Sequence, residues 1–216
     1  MIIHKLKSGL LLFIFIAFSA FAVVKNDECD SETYDGEKRD SAKTSISAAK
    51  LETFTSFSKF TSSLMNGADI YKLAIDESRC KEEERNVEIT VWIYTYIRET
   101  DEDYHVIVGS TDNPATAEYF NVEVSGLPKN KKSKYYKRLI KPRNQFKKLM
   151  GITTCVKNKN YSDNKLSKPL KVKIKGSLFF DRPHQNSPPD KKPGPSWAKP
   201  KTAWEIHPLT NIVKAK

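Results

Sequence analysis

The segment Asn86–Arg98 constrains the fold more than any other part of the chain. Along its sequence, NVEITVWIYTYIR, β-branched residues alternate with polar or aromatic ones, and this period of two predicts a strand with one buried face. The residues expected on the buried face are Val87, Ile89, Val91, Ile93 and Ile97. The opposite face would carry Glu88, Thr90, Trp92, Tyr94 and Tyr96. A strand of this length can curve around a small barrel and contribute to both of its sides.

The rest of the C-terminal half contains four more strand patterns and one helix pattern. Strands are predicted at Tyr104–Gly109, 116–124, 170–181 and 202–213. Between the third and fourth strands, residues 133–150 have a helical apolar period, in which Pro142 predicts a kink or two short helices. The order β-β-β-α-β-β is that of the five-stranded OB-fold barrel. We therefore predict a mostly β fold with helices, an OB-fold-like barrel plus an N-terminal helical segment. An open α+β sheet is the alternative.

Residues 1–22 have the three-part pattern of a secretory signal peptide. Lys5 and Lys7 precede an apolar stretch at 10–18, and Ala20-Phe21-Ala22 is typical of a cleavage site. The apolar stretch is shorter than the ~20 residues of a spanning helix, although an uncleaved anchor is the alternative. We therefore expect an exported protein, periplasmic or secreted, with no transmembrane span after cleavage.

Composition divides the remaining chain into three parts. Residues 23–44 are polar and rich in Asp, Glu and Ser, which predicts a disordered leader. Residues 45–85 are predicted to be a helical N-terminal segment, because apolar residues recur every three or four positions between 45 and 73. Residues 86–216 form the predicted barrel domain.

The chain has three cysteines, Cys29, Cys80 and Cys155. An exported compartment permits disulfides, but an odd number leaves at least one thiol unpaired. Cys80 precedes the first long strand and Cys155 follows the predicted helix, so these two are the natural pair. The sequence contains no paired Cys-x-x-Cys motif, so it does not predict a zinc site. We expect no cofactor and assign no metal ligands.

Positive charge is concentrated in one part of the sequence. The net charge is +11, and residues 129–175 hold 17 basic residues against one acidic residue. The mean hydropathy of −0.57 excludes a multi-span membrane protein. Such a basic block predicts a polyanion partner, such as nucleic acid or an anionic glycan, because phosphate contacts release counterions. The residues expected to bind it are Lys171, Lys173, Lys175, Lys137 and Arg138. Two alternatives are a plain solvated surface and pairing with the protein's own acidic segments.

Aromatic rings on the first strand offer a second kind of binding surface. Trp92, Tyr94 and Tyr96 lie two residues apart, so they should leave the strand on the same face. On an exposed barrel face they would stack with bases or sugar rings. In the alternative, the N-terminal helix covers them as a small second core.

The candidate catalytic residues are Asp181, Glu205, His207 and His105. Glu205 and His207 share one strand face, and Asp181 ends the preceding strand, so these side chains could converge. Converging carboxylates and imidazoles can hold a divalent metal or act as acid and base, which is nuclease-like chemistry. The alternative is a structural role, in which they satisfy one another's hydrogen bonds. The wider set of polar residues near these strands adds Asp101, Asp103, Glu123 and His184.

An ordered set of short motifs gives the C-terminal part a resemblance to known sequences. The motifs are TDEDYHVIV (100–108), NVEVSGLP (121–128), RNQFKKLMG (143–151), LFFDRPH (178–184) and WEIHP (204–208). In this order they resemble a group of uncharacterised exported bacterial proteins with an OB-fold-like domain that ends in a Glu-[Leu/Ile]-His-Pro strand. The resemblance covers residues 87–213, and it implies a barrel but no established activity. The lysine-rich insert and the proline-rich loop at 183–200 depart from the pattern.

Three functional hypotheses follow from these features. The first is an exported binding module, of unknown specific role, that engages a polyanion. The second is a metal-dependent, nuclease-like hydrolase, and the third is a purely structural envelope protein. The ligand and the oligomeric state remain open at this point.

Overall fold

The computed structural model describes residues 40–128, 130–153, 160–185 and 194–216. Within them, six strands form one sheet: β1 (Leu51–Thr53), β2 (Asn86–Arg98), β3 (Tyr104–Gly109), β4 (Tyr119–Val124), β5 (Leu170–Phe180) and β6 (Trp204–Lys214). The α-helices are α1 (Asp40–Thr44), α2 (Phe57–Ser62), α3 (Gly67–Leu73), α4 (Tyr136–Met150) and α5 (Arg182–Gln185). Short 3₁₀ helices occur at Tyr161–Asn164 and Ser196–Ala198.

The last five strands close into a barrel. The strand order is β1-β2-β3-β4-β6-β5, and β5 pairs back with β2 to complete the cylinder. Strands β4 and β6 are parallel, whereas the other barrel neighbours are antiparallel. With α4 between the third and fourth barrel strands, this is the OB-fold-like arrangement. The predicted barrel is confirmed, and the alternative of an open sheet is wrong.

The barrel interior is apolar and is extended at one end by α4. The interior side chains come from alternating positions of all five barrel strands, and Phe146 of α4 packs beside Tyr96 and Tyr104 with ring centroids 5.3 and 5.2 Å away. The helix is continuous through the buried Pro142 rather than divided there. It ends at Gly151, whose φ of 66° is the left-handed conformation that glycine adopts without strain.

A register shift in β2 moves its side chains from one face to the other. The shift lies between Ile93 and Thr95, where the pairing with β3 is irregular. Before it, the predicted alternation is confirmed, with the residues from Val87 to Ile93 turned inward. Beyond it, Tyr96 faces the interior, and Thr95 lies on the outer face. A β-bulge has this effect because one extra residue reverses the period-two pattern that follows it.

The N-terminal segment differs from the predicted single amphipathic helix. It forms β1, which pairs in parallel with β2, and then α2 and α3. Ser56 and Asn66 interrupt the helical pattern because their side chains cap the following backbone N–H groups, at 3.2 and 3.1 Å. Of the residues in the predicted apolar pattern, Ile46, Phe57 and Phe60 are buried, whereas Leu51 is 41% exposed.

The structure also orders the end of the predicted leader. Residues 40–44 form α1, and the side chain of Ala42 is fully buried. The rest of the leader and the predicted signal peptide lie outside the described residues. Among the residues that the structure does describe, no helix has the length and apolar character of a membrane span.

Candidate functional site

A group of charged and polar side chains lies on the outer face of β3, β4 and β6. The interior-facing residues of these strands, such as Val106, Val122 and Ile206, alternate with polar residues that point away from the barrel axis. Strand pairing places His105 beside Glu123 and Asn121 beside Glu205. All of these polar side chains are buried even though they lie outside the barrel. We call the following set the acid–histidine cluster: Asp103, His105, Asn121, Glu123, Glu205 and His207.

Glu123 is the central member of the cluster. Its Oε1 contacts Nε2 of His105, and its Oε2 lies 2.6 Å from Nδ1 of His207. Asn121 Nδ2 donates hydrogen bonds to Oε1 of Glu205 at 2.7 Å and to Oε1 of Glu123 at 3.3 Å. One carboxylate therefore connects two histidines that come from different strands.

The ammonium group of Lys43 enters this cluster from α1. Its Nζ lies 2.9 Å from Oδ2 of Asp101, 3.1 Å from Oδ2 of Asp103 and 3.6 Å from Oε2 of Glu123. The Lys43 side chain is only 12% exposed, so the three interactions are screened little by water. The position of this lysine was not predicted, because it lies in the segment predicted to be disordered.

His207 is held by a second set of contacts. Its Nε2 lies 2.8 Å from the Ser125 hydroxyl and 3.5 Å from Oδ2 of Asp103. Asp103 Oδ1 in turn accepts a hydrogen bond of 2.6 Å from the Gly126 backbone N–H. The loop after β4 thus fixes the orientation of both the acid and the imidazole.

Other parts of the chain cover the cluster. Arg79 donates hydrogen bonds of 2.8 Å to the backbone oxygens of both Ser45 and His207, which fastens the segment after α1 to β6. On the other side, the Tyr161 hydroxyl lies 3.3 Å from Nδ1 of His105, and the Thr95 hydroxyl donates to the Tyr161 carbonyl at 2.5 Å. The outer face that binds ligands in OB-folds is therefore occupied here by the protein's own chain.

The charges within the cluster stabilise one another. Burial alone would raise the pKa of Glu123, but the charges of His105 and Lys43 outweigh it and hold this pKa well below its usual value. Burial alone would lower the pKa of His105, but the Glu123 carboxylate raises it well above the usual value. Burial and the charge of Glu123 together raise the pKa of Glu205 well above its usual value. Glu123 and His105 therefore favour each other's charged forms, whereas burial beside Glu123 disfavours the charged form of Glu205.

The predicted catalytic set is only partly brought together. Glu205, His207 and His105 belong to the cluster. Asp181 follows β5 opposite Ala203, to whose carbonyl its backbone N–H donates at 2.9 Å. The Asp181 carboxylate is close enough for its charge to contribute to the raised pKa of Glu205, behind burial and the charge of Glu123. The side chain of His184 lies outside the described residues.

The signal for Glu123 was present in the sequence. Residues that lie directly opposite each other on β3 and β4 point to the same face of the sheet. His105 and Glu123 could therefore have been paired once the hairpin register was known. That register depends on the loop between the strands, whose geometry the sequence does not specify.

The predicted three-ring stacking surface does not form. Tyr94 is 3% exposed, and its ring packs edge-on against Tyr119 with centroids 5.1 Å apart. The register shift turns Tyr96 into the barrel interior. Trp92 remains partly exposed, with Nζ of Lys171 5.5 Å from its ring centroid. The rings are thus divided between two faces, and the N-terminal helices are not what separates them.

The predicted polyanion-binding residues lie on the surface. Lys173 and Lys175 are 49% and 38% exposed in their side chains, and both form ion pairs with Glu88 of the neighbouring strand. Lys137 and Arg138 are exposed on α4. Lys171 donates to the backbone oxygen of Lys216 at 2.9 Å.

The thiol of Cys80 is free in the structure, which departs from the predicted pairing with Cys155, a residue outside the described ranges.

A cleft of about 470 Å³ lies between α2, α3 and the starts of β4 and β6, lined by residues that include Phe57, Tyr119 and Trp204. No member of the acid–histidine cluster lines this cleft. The cluster therefore has the residue types of a hydrolase but not the open access that a substrate needs.

The fold and the cluster define the class of protein: an OB-fold-like barrel with a buried acid–histidine cluster on its covered outer face. No protein-family model, no curated protein and no solved structure matches this chain. The resemblance to exported bacterial proteins therefore rests on the sequence motifs and stays a prediction.

Proposed function

We propose that this protein is an exported binding module that engages a polyanion through its basic surface. The observation that carries the proposal is the solvent-facing side of α4. Lys137, Arg138, Lys141 and Lys148 are all exposed there, and the helix sequence contains no Asp or Glu. Positive charge without acidic neighbours favours contact with phosphate or sulfate groups along a polymer, independently of its sequence.

The lysines of β5 extend this surface. Lys175 pairs in register with Asn211 of β6, and Asn211 accepts a hydrogen bond of 3.2 Å from Gln145 of α4. Gln145 lies one helical turn from Lys141 and Lys148, so this contact connects the strand neighbour of Lys175 to the part of α4 that carries these two cations. We call the combined set the basic face: Lys137, Arg138, Lys141 and Lys148 of α4 with Lys171, Lys173 and Lys175 of β5.

Among the described residues, Lys173 and Lys175 are the members of the basic face that form ion pairs with the protein's own acidic side chains. Glu88 is the acid that Lys173 and Lys175 share. Among the residues that the structure describes, none of the four α4 cations forms an ion pair. Asp103, which precedes β3, and Glu123 of β4 are instead buried in the acid–histidine cluster, where they meet Lys43.

The test compares two charge variants of equal size. One variant carries Lys137→Gln, Arg138→Gln and Lys141→Gln on the basic face; the control carries Lys50→Gln, Lys59→Gln and Lys72→Gln, three exposed lysines of the N-terminal segment. Binding to single-stranded DNA and to a heparin oligosaccharide is measured against salt concentration. The first variant should bind more weakly, with a salt slope smaller by about 2 on DNA, because each lost phosphate contact removes about 0.7.

The two ligands distinguish the sources of the negative charge. Stronger binding to DNA would favour nucleic acid, and stronger binding to heparin would favour an anionic glycan. Equal losses in the two variants, or binding by the unmodified protein that does not depend on salt, would refute the proposal and leave a structural role. Export is tested separately: the N-terminal sequence of the protein recovered from its native compartment should begin near Val23.

A further inference from the structure

The acid–histidine cluster contains two overlapping sets of metal-ligating atoms. Asp103, Glu123 and His207 each offer one ligand atom within 4.8 Å of the others, and so do His105, Glu123 and Glu205. Carboxylate oxygens and imidazole nitrogens are the donors that bind Mn²⁺ and Zn²⁺ in proteins. Glu123 belongs to both sets and lies between them.

A second observation marks the first set as the place for a ligand. Glu123 Oε2 and His207 Nδ1 lie 2.6 Å apart, but neither atom makes a hydrogen bond of suitable geometry with the described residues. The two side chains are 2% and 0% exposed. Since buried polar atoms are nearly always hydrogen-bonded, two adjacent acceptor and imidazole atoms in this state indicate a position at which a further group can bind.

Lys43 is the cation that lies nearest to this position. Its ammonium group is within ion-pair distance of Asp103 and Glu123, two of the three residues in the first set. A divalent cation bound to the same oxygens would lie within a few ångströms of Nζ, and two cations so close in a buried site repel each other strongly. The ammonium and a metal ion therefore exclude each other.

The segment that carries Lys43 is a small structural unit. It belongs to α1, a helix of five residues, and is 58 residues from Asp101 in the sequence. A helix this short has little stability of its own, so its position depends on Ala42, Lys43 and the contacts of the segment that follows. Such a segment can leave the barrel surface without unfolding the strands that carry the ligands.

We propose that the acid–histidine cluster is a divalent-cation site that Lys43 closes, and that it takes up a hard divalent cation when Lys43 is displaced. Asp103, Glu123 and His207 would hold the ion. The N-terminal segment would then control access to the covered outer face of the barrel. This proposal is independent of the basic face, because the two sets have no residue in common.

The experiment uses Mn²⁺ as the probe, counted by electron paramagnetic resonance with the full mature chain. Mn²⁺ is chosen because it prefers oxygen and imidazole ligands to the thiol of Cys80. The variant Lys43→Met should bind one Mn²⁺ per chain at least about tenfold more tightly than the unmodified protein, since the competing charge is gone. Adding Glu123→Gln to Lys43→Met should abolish this gain, whereas adding Glu118→Gln, a change to an exposed acid outside the cluster, should preserve it.

A second measurement uses the unmodified protein and does not depend on the folding of the variants. Lys43 is acetylated with an amine-reactive reagent, and the extent is followed by mass spectrometry with and without millimolar Mn²⁺. Modification of Lys43 should rise with Mn²⁺ while that of the exposed Lys72 stays constant. The proposal is wrong if Lys43→Met folds and binds Mn²⁺ no more tightly, or if Mn²⁺ leaves the modification of Lys43 unchanged.

Discussion

The acid–histidine cluster and the basic face are both built from charged side chains, but the cluster buries and neutralises its charges, whereas the basic face exposes them. The cluster buries its acids under α1 and Tyr161 and neutralises them with Lys43 and His105. The basic face leaves its α4 cations exposed and without acidic partners among the described residues. The fold thus separates these charges: Asp103, Glu123 and Glu205 are buried in the cluster, whereas the exposed side of α4 is positive.

This difference has an energetic consequence. Removing one partner of a buried charged pair leaves the other buried and uncompensated, which costs about 3–5 kcal/mol. An exposed charge contributes on the order of 0–1 kcal/mol, because water and salt screen it. The cluster should therefore matter for stability, and the basic face should matter for binding.

The strongest test of the buried region is Glu123→Ala. The substitution leaves His105 and Lys43 without their central carboxylate, and we expect the free energy of unfolding to fall by about 3–5 kcal/mol. Urea denaturation at neutral pH measures the change. Glu118→Ala, which removes an acid that is 52% exposed, is the control and should cost less than about 0.5 kcal/mol. Similar losses in the two variants would show that burial does not distinguish the cluster.

Arg143 tests the same contrast inside one helix. It is the fully buried cation of α4, where it donates hydrogen bonds of 3.0 Å to the backbone oxygens of Glu102 and Ser125. We expect Arg143→Met to lower the free energy of unfolding by about 2–3 kcal/mol, because the freed carbonyls stay buried. Arg138→Met, on the exposed side of the helix, should change it by less than about 0.5 kcal/mol. Equal thermal shifts in the two variants would contradict the assignment of faces.

Neutralising the basic face should weaken binding without weakening the fold. The combined Lys137→Gln, Arg138→Gln and Lys141→Gln variant should have a free energy of unfolding within about 0.5 kcal/mol of the unmodified protein. Lys137 and Arg138 lie in the first turn of α4, where positive charge opposes the helix dipole, so their loss does not destabilise the helix. Calorimetry checks this expectation. A large drop in melting temperature would place these residues in the structural core of the protein instead.

A small effect is also expected at the partly exposed pair Glu52–Arg85. Hydrogen bonds of 2.6 and 2.8 Å from Arg85 hold the pKa of Glu52 below its usual value, although the acid is 41% exposed. Glu52→Gln should therefore cost less than about 1 kcal/mol at pH 7.

The direction of its pH dependence follows from the lowered pKa. The native state gives up the Glu52 proton more readily than the unfolded state, so the stabilisation is complete above the unfolded pKa and is lost as the pH falls through the lower, folded one. The difference in unfolding free energy between the unmodified protein and Glu52→Gln should shrink from pH 7 to pH 3. A difference that stays constant or grows between pH 7 and pH 3 would contradict the lowered pKa of Glu52. The variant Glu84→Gln, at an exposed acid, serves as the control.

The fold was predictable because its signals are local. The alternation along Asn86–Arg98 and the element order that follows indicate the barrel, since period-two patterns specify which face of each strand is buried. The same local rules failed at two places. The register shift after Ile93 reverses the alternation without a sequence marker, and the caps at Ser56 and Asn66 divide a helix that the apolar spacing alone predicted as continuous.

The candidate site was less predictable because it depends on contacts between distant segments. Glu205 and His207 could be paired from their spacing on one strand, but Glu123 joins them only through the parallel pairing of β4 with β6. Lys43 reaches the cluster from a segment whose composition is that of a disordered chain. Sequence patterns report on neighbours along the chain, and they carry little information about which distant charge neutralises a buried one.

We expect the exposed basic face, and not the buried cluster, to contact the polyanion. A nuclear magnetic resonance titration of the ¹⁵N-labelled protein with a heparin oligosaccharide tests this. Backbone amide signals of α4 and β5 should shift, while those of His105, Glu123 and His207 should remain in place. Shifts concentrated at these three residues, or no shifts at any ligand concentration, would contradict it.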